Sequence, residues 1–505
     1  MIISVISHFF KCGFSGVVIA IFRMAEKTGV STNNLVEAGD YGKSKKLPQY
    51  IAALSVCMGS VAAGTVLGWT GNITKENLAN RTLNDIYVDP DNDYGWIGSF
   101  STLGALCMCF PIGFICDLIG RKLAMLLTII PFSVGWLLII FADSTAMIFA
   151  GRFLTGLAGG AFCVSAPMYT SEIAEKDIRG ALGSYFQLLL TVGILFAYLL
   201  GAFLKPQIVS IICACVPLVF GVVFFLQPET PVYSLKKGNE EAAIKALRKL
   251  RGDEYNVEAE IADIKANIEK DEREKIPLSK SLETRAAKIS LLICFGLMFF
   301  QQLGGINAVI FYVGTIFEEA DSGLSASDVT ILVGVMQVIA TFVSSLVIDK
   351  FGRKILLLIS GFIMSIAGIL IGIYFSLKDD VSDIGFLPIL GVCIFIIVFS
   401  LGFGPIPWMI SSEVFPAEIK SNASSAAGTF NWFLAFLVTK FYGDLAAEIG
   451  KDVTFYIFAG ISLVGVVFIF FVIPETKGKT LDEIQRELNG EKNVGQGIDN
   501  QGFNS

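Results

Sequence analysis

Residues 113–122 read GFICDLIGRK and residues 345–354 read SLVIDKFGRK. Each closes an apolar run with an aspartate, a glycine and a basic pair, and Asp117 and Asp349 stand 232 positions apart. Two more pairs keep nearly the same offset. SEIAEKDIRG (171–180) answers SEVFPAEIKS (412–421), and QPETP (227–231) answers IPETK (473–477), with Glu172 and Glu413 separated by 241 positions and Pro228 and Pro474 by 246. Three pairs in one order at nearly one offset describe a chain made of two parallel halves.

What each half is made of follows from composition. The chain has 505 residues, 54% hydrophobic and only 16% charged, where a soluble domain carries about 25% charged residues. A membrane span needs about 20 apolar residues. Twelve segments qualify, at roughly 50–70, 94–116, 123–142, 145–169, 181–203, 208–226, 289–317, 329–348, 355–376, 384–410, 421–442 and 453–473. The charged stretch 227–288 separates six from six. The expected fold is therefore an all-α membrane protein: twelve transmembrane helices in two pseudo-symmetric six-helix bundles (48–226 and 289–473) with a cytoplasmic helical linker (227–288). Segments 1–47 and 474–505 are the expected cytoplasmic tails.

The basic residues orient this bundle. Of 38 Lys and Arg, only Lys75, Arg81, Lys205, Lys378 and Lys451 fall in segments assigned outside, and Arg152 and Lys440 fall within spans. The rest lie on the side of the linker, as the positive-inside rule requires of a cytoplasmic face. Two sequons, at Asn72 and Asn80, fall in the first outer loop and are candidate glycosylation sites. The apolar N-terminal stretch MIISVISHFFKCGFSGVVIAIF, broken by His8 and Lys11, reads as an interfacial helix on the cytoplasmic side rather than a thirteenth span. Within the linker, residues 239–252 and 257–275 read as charged amphipathic helices.

Composition also excludes chemistries. A net charge of −7 with no basic patch gives no nucleic-acid footprint. His8 is the sole histidine, which removes histidine catalysis and most zinc chemistry. The ten cysteines lie almost all in apolar segments, without metal or disulfide spacing. No cofactor, no metal, no enzyme activity and no obligate protein partner is expected; the expected partners are the lipid bilayer and a small molecule.

At these motifs the chain resembles the major facilitator superfamily, sugar-porter branch, over residues 48–488. The resemblance rests on the two D-x-x-GRK segments, GRF at 151–153, PETP at 228–231, QQLGGINAVIFY at 301–312, GPIPW at 404–408 and PETKGKTLDEI from 474. It is most similar to insect facilitated trehalose transporters and their glucose-transporter relatives. Two packed six-helix repeats, with the binding site between them at the midplane, are the architecture of an alternating-access transporter.

The polar residues within the spans then acquire expected roles. Amides supply both donors and acceptors, as sugar hydroxyls do. The expected substrate site comprises Gln187, Gln301, Gln302, Asn307, Gln337, Trp408, Asn431 and Trp432. On a continuous helix Gln301, Gln302 and Asn307 would point in widely separated directions, so Gly304-Gly305 is expected to break span 7. Tyr312 is the expected outer gate, and Pro405 and Pro407 the expected inner gate in span 10. Asp117, Arg121, Glu172, Arg179, Glu229, Asp349, Arg353, Glu413 and Glu475 form an expected cytoplasmic latch that breaks when the site opens inward. A bundle without function would satisfy its amides by interhelical bonds, and basic residues at a cytoplasmic face need no latch to explain them.

Arg152 is costly inside a membrane. In proton-coupled relatives the resemblance places an acid in span 1 opposite this arginine, where this chain has Val66. None of the twelve apolar segments contains Asp or Glu. The expectation is a uniporter in the plasma membrane that moves trehalose or a hexose such as glucose. A proton-coupled symporter and a non-transporting sensor are the alternatives. Two departures from glucose transporters, Ser400 in place of an acid and Gln337 in place of Asn, leave the sugar open.

Overall fold

The computed structural model describes residues 44–73, 86, 88–89, 93–175, 177–273, 283–318, 325–378, 380, 384–416, 419–479 and 481–490. Every regular element among them is a helix. The first half holds α1 (Leu47–Gly71), α2 (Tyr94–Cys109), α3 (Pro111–Ile119), α4 (Arg121–Leu127), α5 (Ile129–Ile140), α6 (Thr145–Ile173), α7 (Arg179–Phe203) and α8 (Pro206–Phe225). The linker holds α9 (Pro231–Lys236), α10 (Glu240–Arg251) and α11 (Val257–Arg273). The second half holds α12 (Arg285–Leu303), α13 (Ile306–Glu318), α14 (Ala326–Phe351), α15 (Arg353–Leu377), α16 (Phe386–Leu401), α17 (Ile406–Val414), α18 (Lys420–Ile449) and α19 (Lys451–Val472), and the tail adds α20 (Leu481–Asn489).

Ten of the expected spans are long and apolar enough to cross a membrane as they stand. The second is a pair, α2 and α3, bent by 49° at Phe110. The bend comes from Pro111, which has no N–H to give and whose ring crowds the preceding turn. The eleventh, α18, is the longest helix at 30 residues; its Ser- and Asn-rich start and its Lys440 make it less apolar than the others. The N-terminal segment and Asn80 lie outside the described residues.

Helices run past their apolar segments. Hence Asp117, Asp328 and Asp444 sit on spanning helices, although the apolar segments themselves hold no acid. These carboxylates stay at the helix ends: the side chains of Asp117 and Asp444 are 57% and 56% exposed.

The repeat is visible in the turn before α4 and before α15. Gly120 and Gly352 adopt φ of 99° and 91°, a region that favours glycine. A Cβ on either would meet the carboxylate of Glu229 or Glu475 at 2.4 or 2.5 Å. Those carboxylates bond backbone rather than side chains: Glu229 accepts from the Lys122 N–H at 3.0 Å, and Glu475 from the N–H groups of Arg353 and Lys354 at 2.9 and 3.1 Å. They cap helix N-termini, where a negative charge is favoured. Burial nevertheless pushes the Glu229 carboxyl above its ordinary range.

The linker helices form as expected, α10 starting on Asn239, whose side chain accepts from the Ala242 N–H at 3.0 Å. They dock on the first half through Arg251, which is buried, pairs with Glu175 at 3.3 Å and Glu260 at 2.9 Å, and donates to the Ile173 carbonyl at 2.8 Å. The tail helix α20 docks on the second half instead, where the Asn489 side-chain oxygen Oδ1 accepts from the Ala286 N–H at 3.0 Å. The end of the bundle carrying these caps is called the linker end below, and the opposite end the far end.

Candidate substrate site

Span 7 breaks where the glycine pair stands. Helix α12 ends at Leu303, Gly305 turns at φ 95°, and α13 restarts at Ile306. A Cβ on Gly305 would lie 2.5 Å from the Phe458 ring, so the position needs glycine both for its φ and for its space.

Span 10 breaks opposite it. Helix α16 stops at Leu401 and α17 restarts at Ile406, after Pro405. Backbone freed at membrane depth must find partners within the protein. Ser344 donates to the Leu401 carbonyl at 3.0 Å, Ser360 donates to that of Val398 at 2.7 Å, and the Gln301 amide donates to those of Phe403 and Gly404.

From Gln301 the amides run on as one ladder. Asn431 donates to Gln301 Oε1 at 2.6 Å, Gln302 donates to Asn431 Oδ1 at 2.8 Å, and Asn307 donates to Gln302 Oε1. The break at Gly305 is what lets Asn307 turn back toward Gln302. Every link points the same way, from Asn307 through spans 7 and 11 to the backbone of span 10, so the bonds polarise one another. Gln301 and Gln302 are 3% and 7% exposed. Asn307, at the donor end of the ladder, is half-buried, and its own Oδ1 accepts from no group among the described residues.

A narrow cleft of about 20 Å³ lies between the halves. Ala63, Val66, Ser101, Gly156 and Leu190 line it from the first half, and Trp432, next to Asn431 on α18, closes it from the second. The Trp432 indole N–H is buried with no partner among the described residues. Trp408 packs one turn away against Gly428, whose Cβ would be 3.3 Å from its ring. The amide side chains of Gln187 and Gln337 enter neither the ladder nor any other bond among the described residues; Gln337 only accepts from the Thr341 hydroxyl at its backbone carbonyl, at 2.8 Å.

Behind the cleft wall stands Arg152, fully buried. Its guanidinium donates to the Ile97 carbonyl at 3.0 Å, the Val66 carbonyl at 2.8 Å, Ser101 Oγ at 2.9 Å and Thr70 Oγ1, and lies 5.0 Å from the Trp69 ring. Every partner is neutral. Ser101 and Val66 both hold the arginine and line the cleft, a double role that no sequence motif signals.

The far end is closed. Tyr312 is 4% exposed; its hydroxyl donates to the Thr439 carbonyl at 2.8 Å, and its ring meets those of Tyr94 at 5.1 Å and Tyr442 at 4.7 Å. Tyr198 on α7 adds a bond to the Ile310 carbonyl at 3.1 Å.

At the linker end the charged motifs pair within halves among the described residues. Arg121 bridges Asp117 and Glu172, both at 2.9 Å, and Arg353 pairs with Glu413 at 3.2 Å. Arg179 stands apart from these pairs and donates to the Ala174 carbonyl at 3.3 Å. The side chain of Asp349 lies outside the described residues. One candidate modification site changes character: Asn72 Nδ2, the atom a glycan would occupy, donates to the Ala197 carbonyl at 2.7 Å, and the side chain fills the space beside Gly201. The first sequon is thus a helix-packing contact.

The family model described as "Sugar (and other) transporter" matches residues 3–488. The chain belongs to that family. A "Facilitated trehalose transporter Tret1-2 homolog" of Drosophila simulans is 39% identical over 446 residues, 88% of this chain and 91% of the relative. "Facilitated trehalose transporter Tret1" of Polypedilum vanderplanki is equally similar, with 88% of its length covered. Of the Anopheles gambiae relative of the same name, also 39% identical, the chain spans 56%. Among solved structures, the partially occluded, inward-open xylose transporter XylE of E. coli matches 86% of this chain and 99% of its own, with TM-score 0.72 at 22% identity. That likeness establishes the fold, and the family and its helices make this a multi-pass membrane protein.

Proposed function

We propose that the chain is a facilitative sugar transporter of the plasma membrane, with both termini and the linker in the cytoplasm. It carries trehalose or a hexose such as glucose down its gradient by alternating access. The trehalose reading draws on the names of the insect relatives. The uniport reading draws on one observation: the buried Arg152 is held by neutral groups alone. A symporter needs a titratable group in its pathway, and among the described residues no carboxylate faces this arginine or the amide ladder.

The ladder is the proposed recognition surface. Gln301 and Gln302 are consumed by the protein itself and act as its anchored rungs. Asn307 and the Trp432 N–H have capacity left for a ligand. The cleft is neutral and lined mostly by small apolar residues with Ser101 and Trp432, which suits the apolar faces of an uncharged polyol. Tyr312 serves as the outer gate. The ion pairs, each confined to one half, keep the linker end of each bundle rigid as the halves rock. The broken span 10, with Pro405 and Pro407, flexes as the inner gate.

The deciding experiment is uptake of labelled trehalose and glucose into proteoliposomes with and without a pH gradient. Saturable uptake that ignores the gradient supports the proposal. Uptake that collapses with the gradient points to a symporter, and binding without counterflow points to a sensor.

A further inference from the structure

The closed far end contains a cation that the amide site and the ion pairs leave unexplained. Lys440 lies near the far end of α18 and is 9% exposed. Its ammonium sits 4.9 Å from the centre of the Trp96 ring on α2, in the opposite half, and 5.4 Å from that of Phe441. Among the described residues its ionic partner is Asp444 at 3.0 Å, on its own helix and largely exposed, so that pair holds the lysine weakly. The residue before it, Thr439, offers the carbonyl that accepts from Tyr312. The two helices touch here: a Cβ on Gly95 would come within 2.9 Å of the Lys440 carbonyl.

We propose that Lys440 is a positioning residue for the far-end gate. Its ammonium, seated on Trp96, ties α18 to α2 and so holds the Thr439 carbonyl where the Tyr312 hydroxyl reaches it. The inference deepens the transport reading and rests on it for the meaning of the gate. The physical reason is a near balance. A lysine withdrawn from water loses hydration, and an aromatic face returns part of that loss when the site is dry. When the halves part, water replaces the ring. The contact therefore favours closure without making it permanent, as a gate that must reopen requires.

Hydrogen–deuterium exchange on the purified protein in nanodiscs tests this without sugar. It compares wild type with Lys440→Met, Lys440→Arg and Trp96→Leu. Lys440→Met and Trp96→Leu should speed exchange several-fold in peptides covering 94–100 and 436–444. Lys440→Arg, which keeps a cation over the ring, should stay near wild type. Peptides covering 113–122 should not change in any variant. Wild-type protection in either disrupting variant overturns the proposal, as does an arginine variant as open as the methionine one. Faster exchange throughout the molecule overturns it too, because Lys440 then serves folding rather than the gate. The transport reading fails separately, if the wild-type protein moves no sugar.

Discussion

Asn431 donates to Gln301 Oε1 across 2.6 Å and thereby joins the eleventh span to the seventh at the depth where both are buried. Its Oδ1 accepts from Gln302. One amide thus serves two rungs, one as donor and one as acceptor. Asn431→Ala leaves Gln301 Oε1 and Gln302 Nε2 without partners, each at a cost of about 1–3 kcal/mol. Asn431→Asp keeps the acceptor for Gln302 but sets a buried carboxylate against Gln301 Oε1, where charge is costly. The expected order of thermal stability and of sugar affinity is wild type, then Ala, then Asp, with Ala at least about tenfold weaker in binding, 1.4 kcal/mol being one decade. Calorimetric titration in detergent checks the order. An Ala variant that binds as wild type does would show that the two rungs carry nothing.

Gly305→Ala meets two obstacles that can be separated. The left-handed backbone costs a residue with a Cβ about 1–2 kcal/mol, and the added atom runs into Phe458 at 2.5 Å. Gly305→Ala should abolish uptake and lower the melting temperature. Adding Phe458→Ala frees the space and leaves the φ cost, so the double variant should recover part of the activity and not all of it. Full recovery would assign the whole effect to the ring.

Those two features differ in how far the sequence shows them. The break in span 7 is legible because three amides on an unbroken helix cannot face one cavity, and two adjacent glycines offer the remedy. The halves are legible because charges at span ends recur at a fixed offset. Glu229 and Glu475 are a different matter: the motif announces a carboxylate, but only geometry shows that it caps a helix instead of meeting Arg121 or Arg353. The direction of the amide ladder is likewise invisible, since an amide side chain can donate or accept and its neighbours choose. Gln187 and Gln337 look like Gln301 by residue type and depth, yet stay outside the ladder because no break turns them toward it. Lys440 shows in the sequence only as a basic residue within the eleventh span; that its ammonium meets Trp96 of the other half is seen only in the structure.

The repeated ion pairs are not equivalent, although their motifs are. Arg121 is 3% exposed against a Glu172 side chain that is 14% exposed, whereas Arg353 and Glu413 are 11% and 24% exposed. Removing one partner of a buried pair strands the other charge, at about 3–5 kcal/mol when burial is complete. Glu172→Ala should therefore lower the melting temperature more than Glu413→Ala, with Asp117 offsetting part of the loss because it still faces Arg121 at 2.9 Å. Glu172→Ala combined with Asp117→Ala should be worse than the two single losses added, since Arg121 is then left without a carboxylate. Differential scanning fluorimetry of wild type and the four variants, Asp117→Ala included, decides it.

Arg152→Lys is the sharpest test of the neutral clamp. The guanidinium spreads its donors over Ile97 and Ser101 on α2 and Val66 and Thr70 on α1. An ammonium presents a compact charge on a flexible stem and cannot fork between carbonyls that diverge. Lysine keeps the charge and so keeps the cost of burying it, while losing bonds that offset that cost. Arg152→Lys should express poorly and melt well below wild type, whereas Arg152→Met, which removes charge and bonds together, should fold better than Lys and still transport slowly, because Ser101 and Val66 at the cleft wall lose the group that fixes them. Thermal melts and initial uptake rates of the two variants, normalised to protein at the membrane, separate the contributions. A lysine variant as stable as wild type would mean that charge alone, not the fork, holds spans 1, 2 and 4 together around the cleft.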